Sequence, residues 1–260
     1  MNGVHPDLRA LADLVAARGL AIGRPLELLD EIDSTNDAAK RAAKLGAPHG
    51  ALFVAESQSR GRGRQGRSWL GARGESILAS VVLRVACSPQ RLPPLALAVG
   101  LAARDAIAKA TGASAMIKWP NDVLLGGRKV AGVLVEAVMT TSRVEAVIVG
   151  VGNNVHQRAF PAEIEARATS VALHAPAPPD RAAILVDLLE GVDRDLGLVA
   201  ARGLGLVHAR LAAADALMDR EVDVEGARSV AASIDLDSAL RVRAANGTVR
   251  RVVAGEVTSA

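Results

Sequence analysis

The stretch AMIKWPNDVLLGGRKVAGVLVEAVMTTSRVEAVIVGVGNNV, residues 115–155, decides the fold class of this chain. Its apolar residues, rich in Val, Ile and Leu, are interrupted by two short turn segments, Gly126–Gly127 and Thr140–Thr141–Ser142. Glycine pairs favour tight hairpin turns because both residues accept a positive φ. The pattern therefore predicts an antiparallel meander, in which neighbouring strands are joined by hairpins.

Strands and helices also alternate on both sides of this meander. The segment SILASVVLRV (76–85) is apolar on both faces, which predicts a buried strand. Asp33 or Ser34 can cap a helix that ends at Gly46, because short polar side chains accept hydrogen bonds from the first free N–H groups. The remaining predicted elements are strands at 25–32 and 50–57 and helices at 7–18, 95–110 and across 181–216.

The last part of the chain has a different pattern. From Leu217 onward, short strand-like segments such as REVDVEG and SALRVRAANGTVRRVVAGEV are separated by turn residues. This spacing predicts a small β-barrel. We therefore expect two domains, residues 1–216 and residues 217–260.

The composition limits the classes of protein to which this chain can belong. Half of the 260 residues are hydrophobic and 23% are charged, so a sizeable core is expected and extensive disorder is not. Long apolar runs are missing and acidic residues interrupt the N-terminal segment, which argues against a membrane span and a signal peptide. The single cysteine, Cys87, cannot form an internal disulfide, and this fits a cytoplasmic location.

Charge and histidine patterns argue against two further classes. The net charge is only +3, Trp and Phe number two each and Tyr is absent, so nucleic-acid binding through a basic stacking surface has little support. The five histidines are scattered without the spacing of metal ligands, and a site built from His and Cys is not expected.

Arginine is concentrated in one glycine-rich loop, SRGRGRQGRSWLG (59–71). Its glycines match G-x-G-x-x-G, and Gly61 and Gly66 with Arg67–Ser68 nearly match G-x-x-x-x-G-K-S. Both nucleotide-binding motifs need a helix that begins at the loop. The following RSWLGARGES has no apolar stripe and leads directly into a strand, so both motifs are rejected. A loop that closes over a phosphate remains possible, as do a solvated hairpin and an RNA-contacting segment.

A second polar cluster lies within the meander. Lys118 and Lys129 are two of only five lysines in a chain with 26 arginines, which indicates a need for a compact ammonium group. Asp122 could hold Mg²⁺ or orient a lysine, and Gly132 leaves the backbone bare for a ligand. Structural roles are the alternative, with Lys129 as a hairpin-end charge and Trp119 as a core residue.

Five motifs together resemble the biotin–protein ligase family. They are DSTN (33–36), ESQSRGRGRQGRSW (56–69), KWPNDVLL (118–125), GRKVAGVLVE (127–136) and GVGNNV (150–155). The resemblance covers residues 25–175 and, more weakly, the tail. It implies an α/β fold with a mixed, largely antiparallel sheet and flanking helices, similar to class II synthetase cores, followed by an SH3-like C-terminal barrel.

The resemblance also implies roles for individual residues on the biotin side of the site. Arg62, Gly63 and Arg64 resemble a loop that orders over biotin and the adenylate. Lys129 resembles a lysine that contacts the biotin carboxylate and the α-phosphate. The segment expected at the biotin ureido ring consists of Ser34, Thr35, Asn36 and Gln58.

On the nucleotide side, Asn154 resembles an asparagine near adenine, although a plain turn also explains that segment. Asp122 resembles an acidic residue beside Mg-ATP. The positions that resemble the ATP-binding set are Arg62, Arg64, Lys118, Trp119, Asn121, Lys129 and Asn154.

The activity implied is ATP-dependent formation of biotinyl-5′-AMP, followed by transfer of biotin to a lysine of a biotin carboxyl carrier domain. A lipoate or other acyl ligase of the same fold is the alternative, and a non-catalytic arginine-rich RNA-binding protein is the alternative from another class. Regulatory members of the family carry a helix-turn-helix domain. Residues 1–24 hold one predicted helix, so DNA binding is not expected. The family implies a monomer or a homodimer.

The tail departs from the family pattern. Family members usually have glycines around the segment AASIDLDSALRV, where this chain has Ser233 and Ser238. Either the turns differ or the barrel is looser.

Overall fold

The computed structural model describes residues 6–141 and 143–259. Its strands are β1 (Leu26–Ile32), β2 (Leu52–Gln58), β3 (Ser76–Leu83), β4 (Ala115–Lys118), β5 (Asp122–Leu125), β6 (Arg128–Met139), β7 (Val144–Asn154), β8 (Glu221–Val224), β9 (Ala227–Ile234), β10 (Leu240–Ala244), β11 (Val249–Val252) and β12 (Val257–Ser259). Its α-helices are α1 (Pro6–Arg9), α2 (Leu11–Ala17), α3 (Thr35–Lys44), α4 (Leu92–Thr111), α5 (Ala162–Glu165), α6 (Arg181–Arg202) and α7 (His208–Ala213). No helix in the described ranges is both long and apolar enough to cross a membrane.

Strands β1 to β7 form one sheet in the order β1-β2-β3-β7-β6-β5-β4. The pair β1–β2 is parallel and the other neighbours are antiparallel, which confirms the mixed, largely antiparallel sheet. Helices α4 and α6 pack together over a large apolar core on one face. Helix α3 covers a smaller core on the other face, with Ala39, Phe53 and Ile148 among its buried residues.

Strand β3 lies between β2 and β7, and all eight of its residues are buried. Both faces are covered by helices, so the polar–apolar alternation of a half-exposed strand is absent. The predicted buried strand is confirmed, although it ends at Leu83 and not at residue 85.

The meander is confirmed as β4, β5, β6 and β7. Gly126 and Gly127 turn between β5 and β6 with φ values of 58° and 76°, the left-handed pair that a tight hairpin needs. In the second turn the N–H of Thr140 donates to the carbonyl of Arg143 at 3.0 Å. Ser142, which we assigned to this turn, lies outside the described residues.

The structure decides where two predicted helices begin and end. Ser34, and not Asp33, is the N-cap of α3, and its hydroxyl accepts from the N–H of Asp37 at 3.4 Å. The single helix predicted at 7–18 is wrong, because α1 and α2 are separated at Ala10. Ala10 keeps right-handed dihedral angles (φ −77°, ψ −7°) but forms a turn between the two helices, so the hydrogen-bonded helix is not continuous.

The C-terminal strands form a separate antiparallel sheet in the order β11-β10-β9-β8-β12. The strand-rich tail is thus confirmed, whereas the domain boundary at 216/217 stays a prediction. Ser238 has a φ of 76°, a conformation that favours glycine, so this turn keeps a left-handed residue without glycine. The carbonyl of Ser238 accepts from Trp119 Nε1 at 2.7 Å, which joins the tail to the loop between β4 and β5.

Candidate functional site

A cleft opens beside the N-terminal end of α3, on the face of the sheet that α3 covers. Along β7 the residues on this face are Ala146, Ile148, Gly150 and Gly152, so side chains give way to bare backbone where the cleft begins. The cleft encloses about 940 Å³, including its open mouth. The predicted site residues that line it are Ser34, Thr35, Asn36, Gln58, Arg62, Gly63, Arg64, Lys118, Trp119, Asn121, Asp122 and Lys129.

One end of the cleft is built from linked amide and hydroxyl groups. Gln58 Oε1 accepts from Thr35 twice, from its N–H at 2.7 Å and from its hydroxyl at 3.0 Å. The buried hydroxyl of Ser80 lies 2.8 Å from Thr35 Oγ1 and 2.6 Å from Asn36 Oδ1. These bonds fix the orientation of the Gln58 amide, and its Nε2 makes no hydrogen bond within the described ranges, so it can donate to a ligand.

Gly150 is required beneath this network. A Cβ at position 150 would lie 1.9 Å from Asn36 Oδ1, closer than any real contact. Asn36 Nδ2 in turn donates to Glu136 at 2.9 Å, and Glu136 also accepts from Lys40 at 2.5 Å and from Arg62 at 3.0 Å. Burial acts to raise the pKa of Glu136, but the hydrogen bonds from Lys40 and Asn36 outweigh it and lower that pKa. Glu136 is therefore an ionised junction between the cleft floor and the arginine loop.

Lys129 enters the cleft because β6 contains a β-bulge. The register with β5 shifts there, and Val130 and Ala131 are both fully buried on the core side. Under strict alternation Lys129 would share the core face with Ala131; the extra residue turns its side chain toward the cleft. Its Nζ lies 2.6 Å from Asp122 Oδ1 and 5.6 Å from the centre of the Trp69 ring.

Trp69 packs against bare backbone at the centre of the cleft. A Cβ at Gly152 would lie 2.4 Å from its indole and one at Gly132 would lie 3.1 Å from it. The indole therefore rests on two strands, at one position that excludes a Cβ (Gly152) and at one where a Cβ would be tightly crowded (Gly132). Its buried Nε1 has no hydrogen-bond partner within the described ranges.

The arginine–glycine loop is a short irregular hairpin. Arg62 and Ser68 form an isolated bridge around a 3₁₀ turn at Arg64–Gly66, and the N–H of Gly63 donates to the carbonyl of Arg67 at 2.7 Å. No α-helix follows before β3, which confirms the rejection of both nucleotide-binding motifs.

The loop arginines are held by different parts of the molecule. Arg62 bonds Asp37 of α3 at 2.5 Å, and Arg64 donates to Asn121 Oδ1 at 3.3 Å. Arg67 forms a two-point ion pair with Glu256, which precedes β12. Arg62, Arg64 and Arg67 are thus each paired with a side chain from another segment of the chain.

The chain is similar to known proteins in sequence and in fold. The model of the biotin/lipoate A/B protein ligase family matches residues 28–154. The biotin–[acetyl-CoA-carboxylase] ligase of Mycobacterium tuberculosis is 38% identical over 192 residues, which cover 72% of this chain and 69% of that protein. The chain belongs to the biotin/lipoate A/B protein ligase family.

Further relatives support the assignment of the chain to this family. The bifunctional ligase/repressor BirA of Bacillus subtilis is 38% identical over 170 residues, and the chain spans only about half, 52%, of its length. A solved structure, the biotin protein ligase from Aquifex aeolicus in complex with biotin and ATP, superposes with a TM-score of 0.77 at 28% identity. That superposition covers 90% of this chain and 98% of the other.

Asn154 is the predicted site residue that does not line the cleft. It is buried, and its Nδ2 donates to the carbonyl of Thr169 at 3.0 Å. The N–H of Thr169 donates to the carbonyl of Lys129 at 2.9 Å, and the N–H of Lys129 donates to Arg167 at 2.8 Å. In this ligase-family structure Asn154 thus supports the segment that holds the bulge at Lys129.

Several residues of the site escaped the sequence analysis. Ser80 and Glu136 lie within strands whose apolar patterns gave no sign of a polar network. Trp69 stood inside the quoted loop but was not assigned a role. Glu256 could not have been found from local patterns, since only the folded chain brings it to Arg67.

The electrostatics of the family site follow from burial and pairing. Burial lowers the pKa of Arg64, and the hydrogen bond from Arg67 lowers the pKa of Glu256. Lys118 and Lys129 act on Glu256 in the same direction, so the cleft mouth holds several cations around one carboxylate. Such a cluster is suited to a polyanion.

Proposed function

We propose that this chain is a biotin–protein ligase, which uses ATP to convert biotin to biotinyl-5′-AMP and then transfers biotin to a lysine of a biotin carboxyl carrier domain. One observation carries the proposal: the ammonium of Lys129 and the amide network of Thr35 and Gln58 face the same cleft. The fold is shared with a biotin protein ligase solved with biotin and ATP.

The amide network fits the cyclic urea of biotin. A urea offers one carbonyl acceptor and two N–H donors, so it needs donors and acceptors fixed close together. Gln58 Nε2 is available as a donor, and Gly61 leaves room beside it, because a Cβ there would lie 3.0 Å from that nitrogen. We assign Ser34, Thr35 and Asn36 to the same end of the ligand.

The cations fit the reacting end of the two substrates. A biotin carboxylate must approach the α-phosphate of ATP, and fixed positive charge reduces the repulsion between the two anions. We assign this role to Lys129, Arg62 and Arg64. Asp122 holds the ammonium of Lys129, and Asn121 holds the guanidinium of Arg64, so both charges are positioned before substrates bind.

Lys118 and Trp119 complete the proposed ATP side. Lys118 lines the cleft, whereas Trp119 is 2% exposed and anchors its loop to Ser238. The adenine contact of Asn154 stays a prediction.

Mg²⁺ fits this site if phosphates and water supply most of its ligands. Among the described residues no group of three or more His, Cys, Asp or Glu side chains could hold a metal ion. Mg²⁺ bound with nucleotides commonly uses one or two carboxylates, and Asp122 is the carboxylate we propose. When bound, the ion would neutralise phosphate charge.

The loop fits the role of a lid. Biotinyl-5′-AMP is a mixed anhydride that water can hydrolyse, so exclusion of water until the acceptor arrives is useful. Gly61, Gly63 and Gly66 give the backbone the freedom to move, and the arginines supply the contacts that hold it closed.

We also propose the wider setting of the enzyme. The expected arrangement has catalytic residues 1–216 followed by a C-terminal barrel 217–260, a cytoplasmic location, and no DNA or membrane partner. A monomer or a homodimer, as the family resemblance implies, stays a prediction.

The test is exchange of labelled pyrophosphate into ATP with Mg²⁺, in the presence of biotin, lipoate or neither. Exchange that requires biotin supports the proposal, and incorporation of biotin into a carrier domain completes it. Exchange only with lipoate would replace it by an acyl-ligase function within the same family. Exchange with neither compound would contradict an adenylating activity.

A further inference from the structure

Arg181, the first residue of α6, is the largest of the fully buried side chains in the described part of the chain. Removing a guanidinium from water is strongly unfavourable unless its donors are paired. Nε and Nη2 donate to Asp7 at 2.9 and 2.7 Å, and Nη1 and Nη2 donate to Glu56 at 2.8 and 3.2 Å. Nη1 also donates to the carbonyl of Ser76 at 3.1 Å, so all the N–H groups have acceptors.

The acceptors of Arg181 lie at both ends of the arginine–glycine loop. Glu56 belongs to β2, the strand that enters the loop, and Ser76 is the first residue of β3, the strand that leaves it. The N–H of Gly74 donates to the carbonyl of Glu56 at 3.2 Å and closes the same base. Through Asp7 the guanidinium also connects this base to helix α1.

Arg181 does not line the cleft, so it acts through other residues. An apolar side chain of similar volume would fill the same space without the cost of desolvation. An arginine, in contrast, can join three acceptors on separate segments through its planar array of donors.

We infer that Arg181 is a positioning residue that fixes both stems of the lid loop, so that opening and closing are confined to the residues between them. The inference rests on the proposed function, in which the loop closes over the adenylate. Fixed stems keep Gln58 beneath Thr35 while the loop moves. They also return the loop arginines to the same closed position in every cycle.

Two variants test this inference. Arg181→Lys keeps the positive charge but cannot reach three acceptors with one ammonium, and Glu56→Gln keeps the shape of the stem but removes its charge. The matched control is Arg194→Lys, because Arg194 lies on the same helix, is exposed and pairs with Asp195. Folding is checked by thermal unfolding of each full-length variant.

The readouts are trypsin cleavage at the loop arginines, with and without biotin and ATP, and release of free adenylate. We expect both variants to be cleaved about tenfold faster and to release adenylate about tenfold faster, the scale of one lost charge-assisted hydrogen bond. The KM for ATP should change by less than about twofold, because the nucleotide contacts are intact. Arg194→Lys should behave as the parent protein does.

Cleavage and retention equal to those of the parent, even with a lowered melting temperature, would overturn the inference and leave Arg181 a purely structural role. If Arg181→Lys does not fold, Glu56→Gln decides by the same readouts. A parent protein without biotin-dependent exchange would contradict the proposed function instead. In that case the rates of trypsin cleavage without ligands, compared between the parent and the two variants, would still show whether Arg181 fixes the stems of the loop.

Discussion

Replacing Lys129 by alanine should nearly abolish adenylate formation. Loss of one preorganised charge-stabilising donor costs on the order of 10²–10³ in rate, about 3–4 kcal/mol. The structure adds a second effect, because Asp122 loses the ammonium 2.6 Å from its Oδ1 and then faces the incoming phosphates as an unpaired anion. Like charges about 4 Å apart repel by about 1 kcal/mol in water and by several times more at a protein surface.

The side chains of Lys129 and Asp122 are 37% and 24% exposed, so we use about 1.4 kcal/mol, near the low end of that range, which is about tenfold in rate. The total expected loss for Lys129→Ala is therefore on the order of 10³–10⁴. The matched control is Lys109→Ala, which removes a lysine that is 63% exposed and paired with Asp187 on the surface.

The assay is biotin-dependent exchange of pyrophosphate into ATP by Lys129→Ala, Asp122→Asn and the double variant. If the repulsion from the unpaired carboxylate outweighs the Mg²⁺ contact proposed for Asp122, the double variant should be up to about tenfold faster than Lys129→Ala alone. Exchange by Lys129→Ala within about tenfold of the parent would refute the role of the ammonium. A double variant slower than Lys129→Ala would show that the Mg²⁺ contact proposed for Asp122 outweighs the repulsion from its unpaired carboxylate.

Three further predictions follow from the geometry. Gly150→Ala places a Cβ 1.9 Å from Asn36 Oδ1, so steady-state kinetics should show a KM for biotin raised by about tenfold or more with the KM for ATP unchanged. An equal effect of Gly197→Ala, at a helix position with open space, would contradict this. Burial raises the pKa of Asp215, so the folded state binds its proton more tightly and stability falls as pH rises from 3.8 through the raised value. Asp215→Asn should therefore raise the free energy of unfolding by about 1 kcal/mol at neutral pH and make it less dependent on pH. Urea unfolding at acidic and at neutral pH measures both effects. An unchanged free energy of unfolding at neutral pH would contradict the prediction. Glu256→Gln should cost less than about 1 kcal/mol of stability, because its ion pair with Arg67 is exposed. Hydrogen exchange of the backbone amides in the arginine–glycine loop should nevertheless become faster. Unchanged exchange would show that the ion pair does not hold the loop.

Most secondary structure could be predicted because its determinants are local. Gly126–Gly127 marked the hairpin, Ser34 was one of two candidate caps for α3, and the apolar run of β3 indicated a strand covered on both faces. The interruption at Ala10 could not be predicted, because residues 7–18 carry a continuous helical pattern.

The candidate site was predicted less completely than the fold. Motif residues such as Gln58 and Lys129 do meet at one cleft. Asn154 belongs to a motif as well, but its side-chain amide donates to the backbone carbonyl of Thr169 and does not face the cleft. A motif identifies residues that lie near a site, and it does not state which of them face the ligand.

The sequence by itself determined the order of most strands and helices, the position of the arginine–glycine loop and the set of polar residues available for chemistry, because periodicity, turn residues and motifs act over short distances along the chain. Only the tertiary structure decided that a bulge turns Lys129 toward the cleft, that Glu256 pairs with Arg67 and that Arg181 joins both ends of the loop. These features depend on strand register and on contacts between residues far apart in sequence. Neither is encoded in any single segment, so each becomes visible only when the whole sheet has formed.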